Sequence, residues 1–325
     1  MILPSLFLYI SLALSDPGDD PPHSFDRDER IRPFEGHCAE HSGAFTITSD
    51  ENEPYYFADC RTITAVTIDS TTISILSKYL FYGSSISSLS FKSGLQFNSF
   101  TIDEGCFAHC DKLESITFPT LSTGATNPSI TINAGAFFKC SLLHSITISD
   151  DVQFIGPSAF EGCGNLVPSF ALTRSNRLAI YSYAFSKCYT GSTEKSLELP
   201  KTNVAFYGDH AFENCNFKIS NVQAGKIKSS AFLNCKFDSL TVDCSDIGEN
   251  AFQGSGKLST ISNTKYVTIG AYAFTGLTID TQLIFTSSYI KDHAFFECKY
   301  TTKANKIELK SCPEIAQYSF SSKQS

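Results

Sequence analysis

One nine-residue phrase, Ile-x-x-x-Ala-Phe-x-x-Cys, recurs along the chain and limits its fold more than any other feature. Clear copies are Ile102-DEGC-Phe107-AHC, Ile132-NAGA-Phe137-FKC, Ile155-GPSA-Phe160-EGC and Ile180-YSYA-Phe185-SKC. Tyr207-GDHA-Phe212-ENC, Ile227-KSSA-Phe232-LNC, Ile247-GENA-Phe252-QGS, Ile269-GAYA-Phe274-TGL and Ile290-KDHA-Phe295-FEC follow. Partial copies flank them: Phe57 with Cys60, Phe81 with Leu76, and Phe320 with Ile315. The twelve anchors stand 20 to 30 residues apart. A single globule of 325 residues would ordinarily split into domains. A repeat array escapes that limit, because each unit buries its apolar face against its neighbours. The 28 Phe, the single Met and the lack of Trp fit one short pattern copied many times.

A second run, apolar-x-x-apolar-x-apolar, follows most anchors. Examples are Leu113-ES-Ile116-T-Phe118, Leu143-HS-Ile146-T-Ile148, Ile63-TA-Val66-T-Ile68, Ile86-SS-Leu89-S-Phe91 and Phe237-DS-Leu240-T-Val242. Its last three positions alternate apolar, polar, apolar, with β-branched residues frequent, which predicts a short half-buried strand. In the anchor phrase, Ile, Phe and Cys fall at spacings of 5 and 3. That spacing predicts an extended entry followed by a single helical turn. Each unit then reads as strand, turn and short return segment, and parallel stacking of the strands satisfies their backbone groups except at the two ends of the array.

Ala-Phe-x-x-Cys followed by Leu-x-x-Ile-x-Ile resembles the BspA-like (Treponema pallidum-type) leucine-rich repeat of surface proteins from some bacteria and parasitic protists, over about Phe45 to Phe320. The resemblance implies an α/β repeat fold: a right-handed leucine-rich-repeat solenoid of about 12 units, with a parallel concave β-sheet, short return strands and helical turns. It also implies a secreted or surface location and a role in adhesion or ligand binding. Two departures stand out. Many protist members end in a membrane helix and a short tail, whereas this sequence stops at Ser325, soon after its last anchor. Ser84, Ser255 and Leu277 also replace the Cys in their units.

Twelve Cys in a chain of this kind invite a disulfide reading. Eight of them (Cys60, Cys110, Cys140, Cys163, Cys188, Cys215, Cys235 and Cys298) share one phase, three residues after the anchor Phe. Residues in constant phase point the same way in every coil, so their Cβ vectors run side by side rather than toward each other as a disulfide requires. The expectation is a ladder of buried thiols behaving as small hydrophobes, beside a spine of Phe107, Phe137, Phe160, Phe185, Phe212, Phe232, Phe252, Phe274 and Phe295. Cys38, Cys106, Cys244 and Cys312 are off-phase, and the sequence leaves any pairing among them open. His37-Cys38-x-x-His41 and Cys106-x-x-His109-Cys110 hold zinc-ligand residue types. Cys110 belongs to the ladder and Cys106 fills the Ala slot, so too few free ligands remain and no metal or other cofactor is expected.

No nucleophile elbow, phosphate loop or kinase signature appears. His210 and His293 share one repeat phase, so repeat geometry explains their recurrence and no enzyme is expected. The net charge of −8, without a basic run, argues against nucleic acid and anionic lipid as partners. Residues 2–14 are apolar apart from Ser and Pro, with Ala13 and Ser15 at the −3 and −1 positions of a cleavage site, which resembles a secretory signal too short to span a bilayer. Residues 16–43 read as an acidic, Pro-rich leader and an N-terminal cap containing Cys38, and residues 44–325 as the solenoid. No later stretch is long and apolar enough for a transmembrane helix. Asn127 precedes Pro128, which spoils the one N-glycosylation acceptor.

Function is expected on the outward strand positions of the concave sheet: Thr67, Ser90, Thr117, Thr147, Ala171, Glu198, Lys218, Thr241, Ser262, Ile284 and Glu308. The first half is a Ser/Thr row for a protein or glycan ligand, and an exposed Ile284 adds an apolar contact. Thr is also simply a good exposed strand residue. Thr117 and Thr147 should stand about 4.8 Å apart across paired strands. Insertions at residues 121–129 and 189–196 are further candidates, as loops on a rigid scaffold often carry recognition. The leading expectation is a secreted or surface-associated binding module acting as a monomer; the alternative is an intracellular interaction scaffold.

Overall fold

The computed structural model describes residues 37–48, 52–125, 127–173, 178–262, 266–301 and 307–321. Residues 1–36, with the signal-like stretch and most of the leader, lie outside them. The described chain winds into a parallel β-solenoid of about 12 turns. One sheet runs through eleven coils without a break, from Ile75–Leu76 and Ser99–Ile102 to Tyr289–Ile290 and Glu314–Ile315. Each of its strands ends on the first residue of the anchor phrase, and Leu76, Ile102, Ile132, Ile155, Ile180 and Ile290 are fully buried there. The extended entry thus forms the longest sheet among the described residues.

The anchor segment is not helical, which corrects the expected helical turn. Its backbone alternates between two kinds of hydrogen bond. In one coil Cys106 N donates to Asp103 O, Ala108 N to Gly105 O and Cys110 N to Phe107 O, while Gly105, Phe107 and His109 donate to Ala134, Ala136 and Phe138 of the next coil. This pattern needs a left-handed residue two places before and two after the Phe. Gly105 (φ 59°) and His109 (φ 60°) fill those places, as do His210 (58°) with Asn214 (57°) and Ser230 (55°) with Asn234 (62°). A positive φ is incompatible with an α-helix. The Gly and Asn frequent at these positions tolerate it best. The turns therefore form a ladder of their own between coils.

Every anchor Phe up to Phe295 is fully buried, and Phe320 packs on the core half-buried. From Phe57 to Phe320 neighbouring rings stack with centroids 5.0 to 5.5 Å apart and planes within 15°. Offset parallel rings at that distance add to the burial energy. The Cys three places later points at the same column. Cys110, Cys140, Cys163, Cys188, Cys215, Cys235 and Cys298 each donate the thiol to the anchor Phe carbonyl of the coil before, at 2.9 to 3.2 Å. Burial pushes the Cys110, Cys235 and Cys298 thiols up to about 12.

Cys60 departs from the ladder and forms a disulfide with Cys38, Cα to Cα 5.4 Å. It follows the first anchor, Phe57, so no earlier anchor carbonyl stands where its thiol would donate. Cys38 sits in the helical turn His37–Glu40 instead, beside the strand Gly43–Ile47. Thr62 Oγ1 ties that turn down by donating to Cys38 O (2.9 Å) and His41 O (2.8 Å). The His41 ring meets Phe57 edge-on at 5.6 Å and covers the first ring of the spine.

The second apolar run also makes parallel strands, but in four separate sheets. Four strands pair in the order Gly43–Ile47, Ile63–Ile68, Ser88–Phe91 and Ser115–Ile116. Among the described residues, Ser145–Ser149 pairs only with Val167–Ala171. Six strands run from Lys195–Leu197 through Phe217–Gln223, Lys236–Asp243, Ser255–Ile261 and Thr278–Ile279 to Lys299–Tyr300, and Leu283–Thr286 pairs with Ile307–Lys310. Among the described residues no helix is long and apolar enough to cross a membrane.

Candidate ligand-binding face

The first sheet of this broken side carries the clearest row of outward side chains. Val66, Ile68 and Leu89 point inward and are buried, so the residues between them point outward. Register places Thr46 beside Thr67 and Thr67 beside Ser90. Thr67 Oγ1 and Ser90 Oγ lie 3.1 Å apart and share a hydrogen bond across the coils. At the end of the row Lys92 Nζ pairs with Asp69 at 2.6 Å. Thr46 was missed in the sequence, although Phe45-Thr-Ile47 carries the same alternation as Val66-Thr-Ile68.

Thr117 and Thr147 do not face each other across paired strands. Thr117 lies just past the two-residue strand Ser115–Ile116, where its sheet ends. Pro119 follows and has no N–H with which to extend the ladder, and the insertion 121–129 then takes the chain away, with Leu121 bridging back to Phe97. Thr147 belongs to the next, two-stranded sheet. Its partner is Ser169, at 3.1 Å between hydroxyls, and not Ala171, which pairs with Ser149. Pro168 is buried and Phe170 packs on the core, so Ser169 is the outward residue.

In the second half the expected row dissolves. Glu198 is exposed just beyond Lys195–Leu197. Lys218 pairs in register with Ser196 and Lys236, and its ammonium meets Asp238 at 3.3 Å. The neighbours of Thr241 are Asn221 and Thr260, so Lys218 and Ser262 fall out of the row. Irregular register between Ile219 and Asn221, and again between Phe237 and Thr241, causes the shift, with Ser239 left-handed at φ 56°. Ile284 does pair with Glu308, but it is half-buried rather than exposed, and Glu308 is taken up by Lys310 at 3.0 Å. Asp280 and Thr301, joined at 2.6 Å, are outward neighbours that the sequence did not reveal.

The insertion 189–196 is tied down. Tyr189 Oη donates to Thr193 O (2.7 Å), Asn216 Nδ2 donates to Gly191 O (2.6 Å), and Lys236 pairs with Glu194 at 2.7 Å. The hydrogen bond and charge of Lys236 hold the Glu194 carboxyl below its ordinary value.

The residue types that suggested zinc are spoken for. Cys110 donates to Phe81 O, the His109 ring packs edge-on against Tyr82 and Phe138, and Cys106 is fully buried. Among the described residues no three His, Cys, Asp or Glu side chains converge as a metal cluster.

The chain matches the BspA type leucine rich repeat region in six copies, over residues 44–127, 101–238 and 208–325. Among curated proteins none matches it. Leucine-rich-repeat solenoids of this type are generally non-catalytic and generally serve as protein-interaction modules. With its repeats matched from residue 44 to residue 325, the chain belongs to the BspA-type leucine-rich repeat family.

Proposed function

We propose that this chain is a secreted or cell-surface-associated binding module that holds a protein or glycan ligand on the hydroxyl-bearing side of its solenoid. One observation carries the reading. Thr46, Thr67, Ser90, Thr147 and Ser169 occupy outward strand positions whose inward neighbours make the core, so their hydroxyls serve no packing role. A rigid array of exposed hydroxyls offers donors and acceptors at a fixed spacing of about 4.8 Å per coil. The Cys38–Cys60 disulfide supports an oxidising compartment and weighs against the intracellular scaffold. The ligand would be recognised by hydrogen bonding, without cofactor or chemistry.

The test replaces Ser90 and Thr147, both exposed and each in its own sheet, by Lys. Exposed substitutions change stability by no more than about 0.5 kcal/mol, so the thermal melt should not move. Two bulky cations on the hydroxyl side should abolish attachment in cell, matrix and glycan-array assays. A doubly substituted protein that melts normally and binds as well as the parent would remove this side as the site.

A further inference from the structure

The unbroken sheet carries a different feature on its outward side. Thr131, Phe154, Ala179, Phe206 and Lys226 follow one another in register across five coils. Two Phe rings thus bracket a methyl group, with their strands about 10 Å apart. Tyr181, only 6 % exposed, is wedged between them, its ring centroid 4.7 Å from that of Phe154 and 4.9 Å from that of Phe206. Its neighbours in the same repeat phase are Gly156 and Gly208. A Cβ on Gly156 would stand 2.8 Å from Ala134 N, and one on Gly208 would stand 2.5 Å from Tyr181 C. No side chain can rise on either side of Tyr181, so the Phe154 and Phe206 rings, held apart by the buried Tyr181, form an aromatic platform. Both Phe rings are partly exposed, and other coils place Thr101, Thr131 or Thr268 at the same position, so the fold does not require aromatics there.

One rim of the platform is basic. Lys228 Nζ lies 5.4 Å from the Phe206 ring centroid, and Lys226 follows Phe206 in register. Lys226 Nζ pairs with Asp246 at 3.9 Å, and both side chains are half-exposed, within reach of a ligand. We propose that this platform binds an acidic sugar: the C–H face of a pyranose lies on the Phe rings, and its carboxylate meets Lys226 and Lys228. An extended peptide gains little here. The strands are interior to the sheet, and their N–H groups already donate between coils: Tyr181 to Ile155 O (3.0 Å), Gly208 to Ile180 O (2.8 Å) and Lys228 to Tyr207 O (2.9 Å). No backbone edge remains for strand addition. A nucleic acid needs a run of basic side chains along its phosphates, and two lysines on one rim do not supply it.

The experiment titrates the full chain by calorimetry with oligogalacturonate and with hyaluronan oligosaccharides. Methyl-esterified oligogalacturonate, which lacks only the charge, and polyglutamate serve as controls. The expected result is saturable binding of an acidic oligosaccharide that weakens with added salt. Phe206→Ala, Lys228→Glu and methyl esterification should each weaken it by about tenfold or more. The Ser90→Lys, Thr147→Lys protein should bind unchanged, which separates this site from the hydroxyl side. Lys228→Glu alters a partly exposed side chain and keeps the platform, so it reports even if Phe206→Ala melts early. No saturable binding of either acidic sugar, equal binding of the ester, or full affinity in both variants would overturn the proposal. Polyglutamate binding as tightly as the sugars would overturn the sugar assignment.

Discussion

Truncating a middle ring of the phenylalanine spine should cost far more than truncating its last ring. Phe160 is fully buried and stacks on Phe137 at 5.0 Å and on Phe185 at 5.1 Å, with interplanar angles of 1° and 5°. Phe160→Ala removes a whole buried ring and leaves a cavity in close-packed surroundings, a loss of about 3–5 kcal/mol. About 0.5–1.5 kcal/mol of that belongs to each of the two stacks. Phe320 is half-buried and, among the described residues, stacks only on Phe295, at 5.0 Å. Phe320→Ala forfeits one stack and about half the burial, so its loss should be about 1–2 kcal/mol. Urea unfolding followed by circular dichroism measures both, and equal slopes would show that the same surface is exposed in each variant. Equal losses at the two positions would refute the continuous stack. So would a larger loss at Phe320, because it would place the weight of the packing at the end of the array.

Two other outcomes follow from buried polar groups. Because burial raises the Cys110, Cys235 and Cys298 thiols to about 12 from an ordinary 9.0, the unfolded chain loses these protons first as pH rises. Their contribution to stability is complete below pH 9 and should be lost between pH 9 and about pH 12, at up to about 1.4 kcal/mol per pH unit for each thiol, which denaturant melts along that range will read. Tyr207 fills a slot held by Ile in neighbouring coils, is fully buried, and its hydroxyl has no hydrogen-bond partner among the described residues. Tyr207→Phe removes an unsatisfied buried group and should leave the protein as stable or raise stability by about 1–3 kcal/mol in the same melts.

What the sequence reveals depends on whether a residue meets the same surroundings in every coil. The anchor Phe and most in-phase Cys do, so their repetition alone places them. Cys60 shares their phase but follows the first anchor, and the missing carbonyl partner there is a three-dimensional fact that spacing cannot carry. The left-handed residues flanking each Phe defeat a reading by periodicity, because Ile, Phe and Cys at spacings of 5 and 3 fit a helical turn as well as this ladder of tight turns. The Gly and Asn at those places are the trace they leave. Outward positions are harder still. Thr67 and Ser90 could be aligned by counting, because their strands pair without interruption. Lys218 and Ser262 could not, because bulged strands move the register, nor could Ala171, because the buried Pro168 takes an inward place and leaves Ser169 outward. The aromatic platform went unseen because Phe154 and Phe206 end ordinary-looking runs, Val152-Gln-Phe and Val204-Ala-Phe, and only pairing brings them to either side of Ala179.

A single coil phase turns the anchor Phe and Cys inward and the hydroxyls outward, and the thiols give the sharpest readout of it. Disulfide mapping and timed alkylation on the native protein, read by mass spectrometry, give the answer in one experiment. The expected result is one bridge, Cys38 to Cys60, with Cys110, Cys140, Cys163, Cys188, Cys215, Cys235 and Cys298 reduced, unreactive while folded and quickly alkylated in denaturant. Bridges among those column thiols, or alkylation as fast in the native protein as in the unfolded one, would contradict it.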